Sequence, residues 1–174
     1  MGEVSGIGPR GSNLSAPVPI STEQDFSAFD CGEPALHDWL RRRALKNESR
    51  FSRTYVVCAG NRVVAFYSLS AGAVERKQVL AKVRRHAPDR VPVAIIGRLA
   101  VDGAFVGQGF GADILADALR RVAGASQSIG IAAILVQAKS EAAKLFYLQH
   151  AEFIEFPASS RLLYLPIATL LAAM

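Results

Sequence analysis

Three glycines at alternate positions, Gly107, Gly109 and Gly111, are the residues of this chain whose spacing could do chemistry. They follow an apolar run, Ile95-Ile96-Gly97-Arg98-Leu99-Ala100-Val101, that reads as a buried strand. After them, Ala112 to Ala123 carries helical periodicity. A strand feeding a glycine-rich turn at a helix N-terminus can hold phosphate. Without side chains the backbone comes close to a ligand, and unpaired N–H groups point along the positive end of the helix dipole. The same glycines would also serve a tight turn that needs them only for its φ angles. Spacing alone leaves both readings open.

The kind of phosphate ligand can be narrowed. A Walker loop ends in Gly-Lys-Ser/Thr, whereas this one runs Gly111-Ala112-Asp113, which excludes ATP or GTP binding of that type. Gly107-x-Gly109-x-x-Ala112 loosely matches a dinucleotide fingerprint. That motif needs an acid about 20 positions on to hold a ribose, and Gln127 and its neighbours supply none. It also follows the first strand of its fold, while here a helix and a hairpin come first.

The elements that must position this loop can be read in order. Residues 1–16, rich in Gly, Ser and Pro, read as a disordered tail, leaving 17–174 as one domain. Val18-Pro19-Ile20 suits a short edge strand. Asp30-Cys31-Gly32-Glu33-Pro34 starts a helix whose Leu36, Trp39, Leu40 and Ala44 face a core. Thr54–Ala59 and Val63–Ser70, separated by Gly60-Asn61-Arg62, form a hairpin. A basic stretch from Glu75 to Arg90 follows, with Leu80, Val83 and Ala87 as the buried side of a short helix. Val93–Val101 is the central strand. Ile114, Leu115, Ala118, Leu119 and Val122 make the apolar stripe of the helix after the loop. Ile131–Ala138 is a second strand, parallel to the central one because a helix joins them. Ser140 caps a helix running to His150. Phe153–Phe156 and Arg161–Leu165 close the sheet, and Ile167–Met174 is a short apolar tail. The expectation is an α/β fold: one domain with a mixed central sheet flanked by helices.

At 174 residues and 51% hydrophobic content, the chain can close a core without metal or disulfides. Cys31 and Cys58 make no disulfide framework and suggest a reducing compartment. No nearby Cys/His pair supports a reactive thiol, and His37, His86 and His150 have no metal-ligand spacing, so no metal is expected. No stretch reaches the ~20 apolar residues of a membrane span, and no signal peptide opens the chain. A soluble, cytoplasmic protein that makes no membrane contact is expected.

The net charge of +5 is uneven: residues 1–97 hold 14 Lys/Arg against 9 Asp/Glu, and 98–174 hold 6 of each. The surplus collects in Arg41, Arg42, Arg43, Lys46, Arg50 and Arg53, and in Arg76, Lys77, Lys82, Arg84, Arg85 and Arg90. Such clusters are footprints for a polyanion or solvated helix faces.

With these residues in place the chain resembles the GNAT superfamily of N-acetyltransferases, from about Phe29 to Leu165. The family pattern Arg/Gln-x-x-Gly-x-Gly/Ala, which binds the pyrophosphate of acetyl-CoA, aligns with Val106-Gly107-Gln108-Gly109-Phe110-Gly111. Val106 departs from it, so the cradle must work by backbone alone. Within the superfamily the chain is most similar to TacT-like toxins of bacterial toxin–antitoxin pairs. Four stretches carry this likeness: Phe29-Asp30-Cys31-Gly32-Glu33-Pro34 with Leu36 and Trp39-Leu40; Ser52-Arg53-Thr54-Tyr55-Val56-Val57; Gly97-Arg98-Leu99-Ala100-Val101-Asp102; and Ala143-Lys144-Leu145-Phe146-Tyr147.

The resemblance implies an acetyl-CoA-dependent N-acetyltransferase that acetylates the α-amino group of aminoacyl-tRNA and so blocks translation. A cognate antitoxin, a small DNA-binding protein, would neutralise it, and a homodimer is implied as well. Leu99, Ala100 and Val101 would hold the pantetheine like an added strand and present an N–H to the thioester oxygen. Val106, Gly107, Gln108, Gly109, Phe110, Gly111 and Ala112 would cradle the pyrophosphate. Tyr147 aligns with the general acid, and a reference pKa near 10 keeps it protonated at pH 7; its spacing alone, beside Phe146, reads as a core aromatic, and the family match reverses that. No carboxylate stands out as a base. The α-amino group of an aminoacyl-tRNA titrates near neutrality (~7.7–8.0) and needs less help than a lysine at about 10.4. Arg41, Arg42, Lys46, Arg84 and Arg85 are then candidate tRNA contacts. Arg98 either points at tRNA or pairs with Asp102. The alternatives are a GNAT enzyme acetylating a small amine or protein amine, and a non-catalytic acetyl-CoA or nucleic-acid binding module.

Overall fold

The computed structural model describes residues 14–79, 81–156 and 161–174. Leu80 and the side chain of Lys82 lie outside the described residues, as does the expected tail over residues 1–13. Among the described residues there are seven strands, β1 (Val18–Pro19), β2 (Arg53–Ala59), β3 (Arg62–Glu75), β4 (Arg90–Val101), β5 (Ala133–Gln137), β6 (Ile154–Glu155) and β7 (Leu162–Pro166). Among them too are six α-helices, α1 (Pro34–Arg42), α2 (Ala44–Asn47), α3 (Ala81–Arg84), α4 (Phe110–Ala125), α5 (Glu141–His150) and α6 (Ile167–Ala172). The strand order is β1-β2-β3-β4-β5-β7-β6. β4 and β5 are parallel, as the helix between them required, while β1–β2, β2–β3, β5–β7 and β6–β7 are antiparallel. The result is the mixed, mostly antiparallel α/β sheet that the sequence predicts. Among the described residues no helix is long and apolar enough to cross a membrane.

Contacts group the chain into two compact units. The first comprises the chain up to Leu69 and Arg98–Ala118. Its core joins the apolar face of α1 to the hairpin: Leu36, Trp39 and Leu40 pack with Val56, Val63, Phe66 and Phe29. Trp39 stacks on Phe66 at 6.1 Å between ring centroids, and Phe29 meets Phe66 edge-on at 5.5 Å. The tail reading fails at its end. Leu14 is fully buried and bridges Ala59, and Ser15 exchanges hydrogen bonds with Cys58. The Gly/Ser/Pro composition of this stretch hid the apolar Leu14. In the helix after the loop, α4 starts at Phe110, two residues before its periodicity shows, because Gly111 is a poor helix former. Burial of Phe110 beside Phe105, at 6.2 Å, holds that first turn.

The second unit comprises Ser70–Gly97 and Leu119–Met174. Its core gathers Val79, Val91, Val93, Ala133, Phe156 and Tyr164. β3 continues to Glu75 where the sequence predicts an end at Ser70. Gly72, which weakens the strand signal there, sits against Ile95: a Cβ on it would lie 2.5 Å from Ile95 Cδ1. The basic stretch is partly ordered, as a 3-10 turn over Arg76–Gln78 and then α3. Ser140 caps α5 as expected, its hydroxyl accepting from the Ala143 N–H at 3.1 Å. The C-terminal tail is instead a helix, α6, with Leu170 buried.

Candidate active site

In the first unit, β4 delivers the chain to the glycine turn through a fixed exit. The Asp102 N–H donates to the Val64 carbonyl at 2.8 Å, and the Gly103 N–H to the Asp30 carbonyl at 2.9 Å. The Asp102 side chain, only 4% exposed, accepts from the N–H of Asp30 at 3.0 Å and of Ala104 at 2.9 Å. Arg62 lies 3.4 Å from the same carboxylate. One buried acid thus ties the loop before α1, the hairpin turn and the 3-10 turn Gly103–Phe105 together.

Gly107 and Gly109 then adopt φ of +80° and +87°, which non-glycine residues rarely take. A Cβ on Gly107 would meet no atom within 4 Å, so glycine is required there for backbone shape, and the space beside it is open. α4 begins at once. The Asp113 N–H closes onto the Gly109 carbonyl at 3.1 Å, and the N–H groups ahead of it lie in the turn that helix geometry leaves without intrahelical acceptors. Val106 is 60% exposed, and Gln108 is half-buried. This arrangement fits a diphosphate-sized anion bound through main-chain donors. Leu99, Ala100 and Val101 precede it. The pairing of β4 with β5 covers Val93–Ile96, so Leu99–Val101 lie beyond it; the next N–H after β5, that of Ala138, turns to the Arg161 carbonyl.

In the second unit, Tyr147 sits on α5, 6% exposed, with Phe146 and Phe153 edge-on to its ring at 5.3 and 5.7 Å. Burial pushes its phenol well above the ordinary value, so the group holds its proton more firmly than the reference pKa implies. Nearby on the same helix Lys144 pairs with Glu155 at 2.7 Å, and Glu141 is engaged by Arg161 at 3.2 Å. Glu141 is the acid of the first turn of α5, where it also favours the positive end of the helix.

The basic residues divide by what holds them. Arg42, Lys46, Arg84 and Arg85 are exposed. Arg41 is tied down: its guanidinium donates to the Phe29 carbonyl and lies 3.7 Å from Asp38. Arg76 and Lys77 face Asp89 and Glu75 at 3.7 and 3.3 Å. Arg98 does not pair with Asp102. Asp102 is taken by Arg62 and two backbone N–H groups, and the Arg98 guanidinium lies instead over the Trp39 ring, 4.0 Å from its centroid. The partial burial that accompanies this stacking lowers the Arg98 pKa from its ordinary value.

Three features escape sequence reasoning. Tyr67, fully buried, donates its hydroxyl to the Asp117 carboxylate on α4, a pairing 50 positions apart with no local signal. In sequence Arg62 reads only as part of a hairpin turn. Cys31, for which the sequence suggests no histidine partner, has its sulfur 3.9 Å from His37 Nδ1, six positions along in α1. Among the described residues no group of three potential metal ligands forms.

The mixed sheet, with its parallel central strand feeding a glycine turn and a helix, matches the GNAT fold of solved acetyltransferase toxins. No protein-family model matches the chain. A tRNA-acetylating toxin of Mycobacterium tuberculosis (strain ATCC 25618 / H37Rv) is 46% identical over 143 residues, which is 82% of this chain and 86% of that protein. The solved structure of AtaT complexed with acetyl-methionyl-tRNAfMet matches with a TM-score of 0.84 at 28% identity, covering 92% of this chain and 98% of that one. A tyrosine-to-phenylalanine variant of the AtaT toxin, bound to acetyl-CoA and the C-terminus of the antitoxin AtaR, matches at 0.79 and 27% identity, covering 94% of this chain and 99% of that one. The chain belongs to the family of GNAT toxins that includes the Mycobacterium tuberculosis relative.

Proposed function

We propose that this protein transfers the acetyl group of acetyl-CoA to the α-amino group of aminoacyl-tRNA, blocking translation, and that a cognate antitoxin neutralises it. The observation that carries this reading is the 46% identity to a tRNA-acetylating toxin across 82% of the chain. The backbone geometry supports it, since an open glycine turn of two left-handed residues at a helix start suits a diphosphate. Residues 17–174 act as one acetyltransferase domain, in the cytoplasm and as a homodimer.

Acetyl-CoA supplies the activated acetyl thioester. The turn from Val106 to Ala112 binds its diphosphate through main-chain N–H groups, with no side-chain cation at Val106. Backbone groups of Leu99, Ala100 and Val101, beyond the β4–β5 pairing, hold the pantetheine arm and offer an N–H to the carbonyl oxygen. As the new C–N bond forms and the C–S bond breaks, Tyr147 gives its phenolic proton to the departing sulfur, and the amine loses a proton to water. An α-amine titrating near neutrality is already partly unprotonated, so no buried carboxylate base is needed. Arg42, Lys46, Arg84 and Arg85 take tRNA phosphates, which set affinity without reading sequence.

Incubation with labelled acetyl-CoA and a mixture of charged tRNAs tests this directly. Label is expected on the aminoacyl group, released with the amino acid on mild alkaline deacylation. Label on polyamines or protein lysines and none on the aminoacyl group refutes the tRNA reading in favour of a small-amine or protein acetyltransferase.

A further inference from the structure

Among the described residues Phe51 is the large hydrophobic side chain left most exposed, at 65%. It stands on the turn joining α2 to β2, inside the first basic cluster. That turn is stiff. The N–H groups of Arg50, Phe51 and Ser52 all donate to the Asn47 carbonyl, at 3.2, 2.9 and 3.2 Å, and Ser49 is held at a φ of +69°. A left-handed non-glycine residue persists only where its surroundings enforce it. Glu48, the one acid between Ala44 and Arg53, is already used: it accepts from the Thr54 N–H at 2.9 Å and lies 3.6 Å from Arg53. The Arg50 guanidinium lies over the Phe51 ring, 5.3 Å from its centroid. Among the described residues Arg42, Arg43, Lys46 and Arg50 carry no ion pair. A rigid turn therefore presents an exposed aromatic ring, with Arg50 over one side of it, among cations.

A protein partner is the weaker match. One ring can bury at most about 250 Å², while a stable interface takes roughly 800 Å² from each side. An unpaired nucleobase matches both features, with a flat π-face for the ring and adjoining phosphates for the arginines. We propose that Phe51 is a stacking platform for an unpaired base at the 3′ end of tRNA, with Arg50 on a flanking phosphate. The proposal rests on the reading that tRNA is the acceptor.

Binding of uncharged tRNA to Phe51→Ala, Phe51→Leu and Phe51→Trp variants, across a salt series, tests it. Loss of a stacked base weakens binding about 5- to 150-fold for Phe51→Ala, the range seen when aromatic platforms are truncated. Phe51→Leu should fall with it, and Phe51→Trp should retain the affinity. The slope of log affinity against log salt stays unchanged in Phe51→Ala, while Arg50→Gln lowers it by about 0.7–0.9, one phosphate contact. A tRNA trimmed of its unpaired 3′ nucleotides should bind wild type and Phe51→Ala alike. Full affinity in Phe51→Ala or Phe51→Leu overturns the proposal, as does an equal loss on the trimmed tRNA. A change in sedimentation from dimer to monomer, with tRNA affinity per protomer kept, also overturns it and makes the turn a contact between copies. Failure of the wild-type protein to bind tRNA at all would instead refute the acceptor reading, before any variant is made.

Discussion

Replacing Asp102 with alanine should unfold the entrance to the glycine turn before anything else. The carboxylate is 4% exposed and satisfies the N–H groups of Asp30 and Ala104 at 3.0 and 2.9 Å. A hydrogen bond to a charged group is worth about 1.5–3 kcal/mol, so losing two removes roughly 3–6 kcal/mol. Arg62 adds little, since its side chain is 42% exposed and such pairs are worth about 0–1 kcal/mol. Some relaxation and water entry will soften the total, and about 3 kcal/mol is the expected loss in urea unfolding. For a chain of this size that corresponds to a fall of roughly 6–12 °C in Tm. Asp102→Asn keeps one acceptor oxygen and places an NH2 group before the other donor, so an intermediate loss is expected. Because the 3-10 turn that Asp102 caps leads straight to Gly107, acetyl-CoA affinity measured by calorimetry below the lowered Tm should drop with stability. An Asp102→Ala protein within 0.5 kcal/mol of wild type would mean that both N–H groups find other partners, and the anchoring role would be wrong.

The elements were legible wherever periodicity and punctuation agreed. The hairpin, the parallel β4–β5 pair, the Ser140 cap and the stripe on α4 all follow from local pattern, and the glycine turn announced itself by three residues. What stayed hidden was set by long-range partners. Arg98 and Asp102 lie four positions apart, which makes an ion pair the natural local guess. Trp39, 59 positions upstream, offers Arg98 a face, and Arg62 together with two backbone donors takes the carboxylate. Leu14 was invisible for the converse reason, a buried side chain inside a composition that signals a tail. The reach of β3 to Glu75 was masked by Gly72, where Ile95 fills the space a side chain would take.

Three further predictions separate binding from catalysis. Val106→Arg should tighten acetyl-CoA binding up to about fivefold without altering stability: position 106 is 60% exposed, and a charge pair at 4 Å in water is worth about 1 kcal/mol. Equilibrium titration at low and high salt checks it, with the gain vanishing at high salt. Arg42→Glu should weaken tRNA binding and flatten its salt slope at unchanged Tm. Arg41→Glu should lower Tm as well, because it breaks the hydrogen bond to Phe29. Tyr147→Phe should lower kcat about 10²- to 10⁴-fold while acetyl-CoA affinity is kept. Its pH dependence adds a readout that no activity assay can confuse. Burial raises the Tyr147 pKa above the value near 10 of an unfolded chain. Above about pH 10 the folded state therefore binds more protons than the unfolded one, and linkage makes stability fall as pH rises, by at most about 1.4 kcal/mol per pH unit. Below that pH both states keep the phenolic proton, and the contribution is fully present. The difference in unfolding free energy between wild type and Tyr147→Phe should thus be flat to about pH 9 and decline from about pH 10 upward. A difference that stays flat to pH 11 would show a phenol ionising as freely in the fold as outside it. A proton held that loosely could not belong to the buried ring between Phe146 and Phe153 from which the acid step is derived.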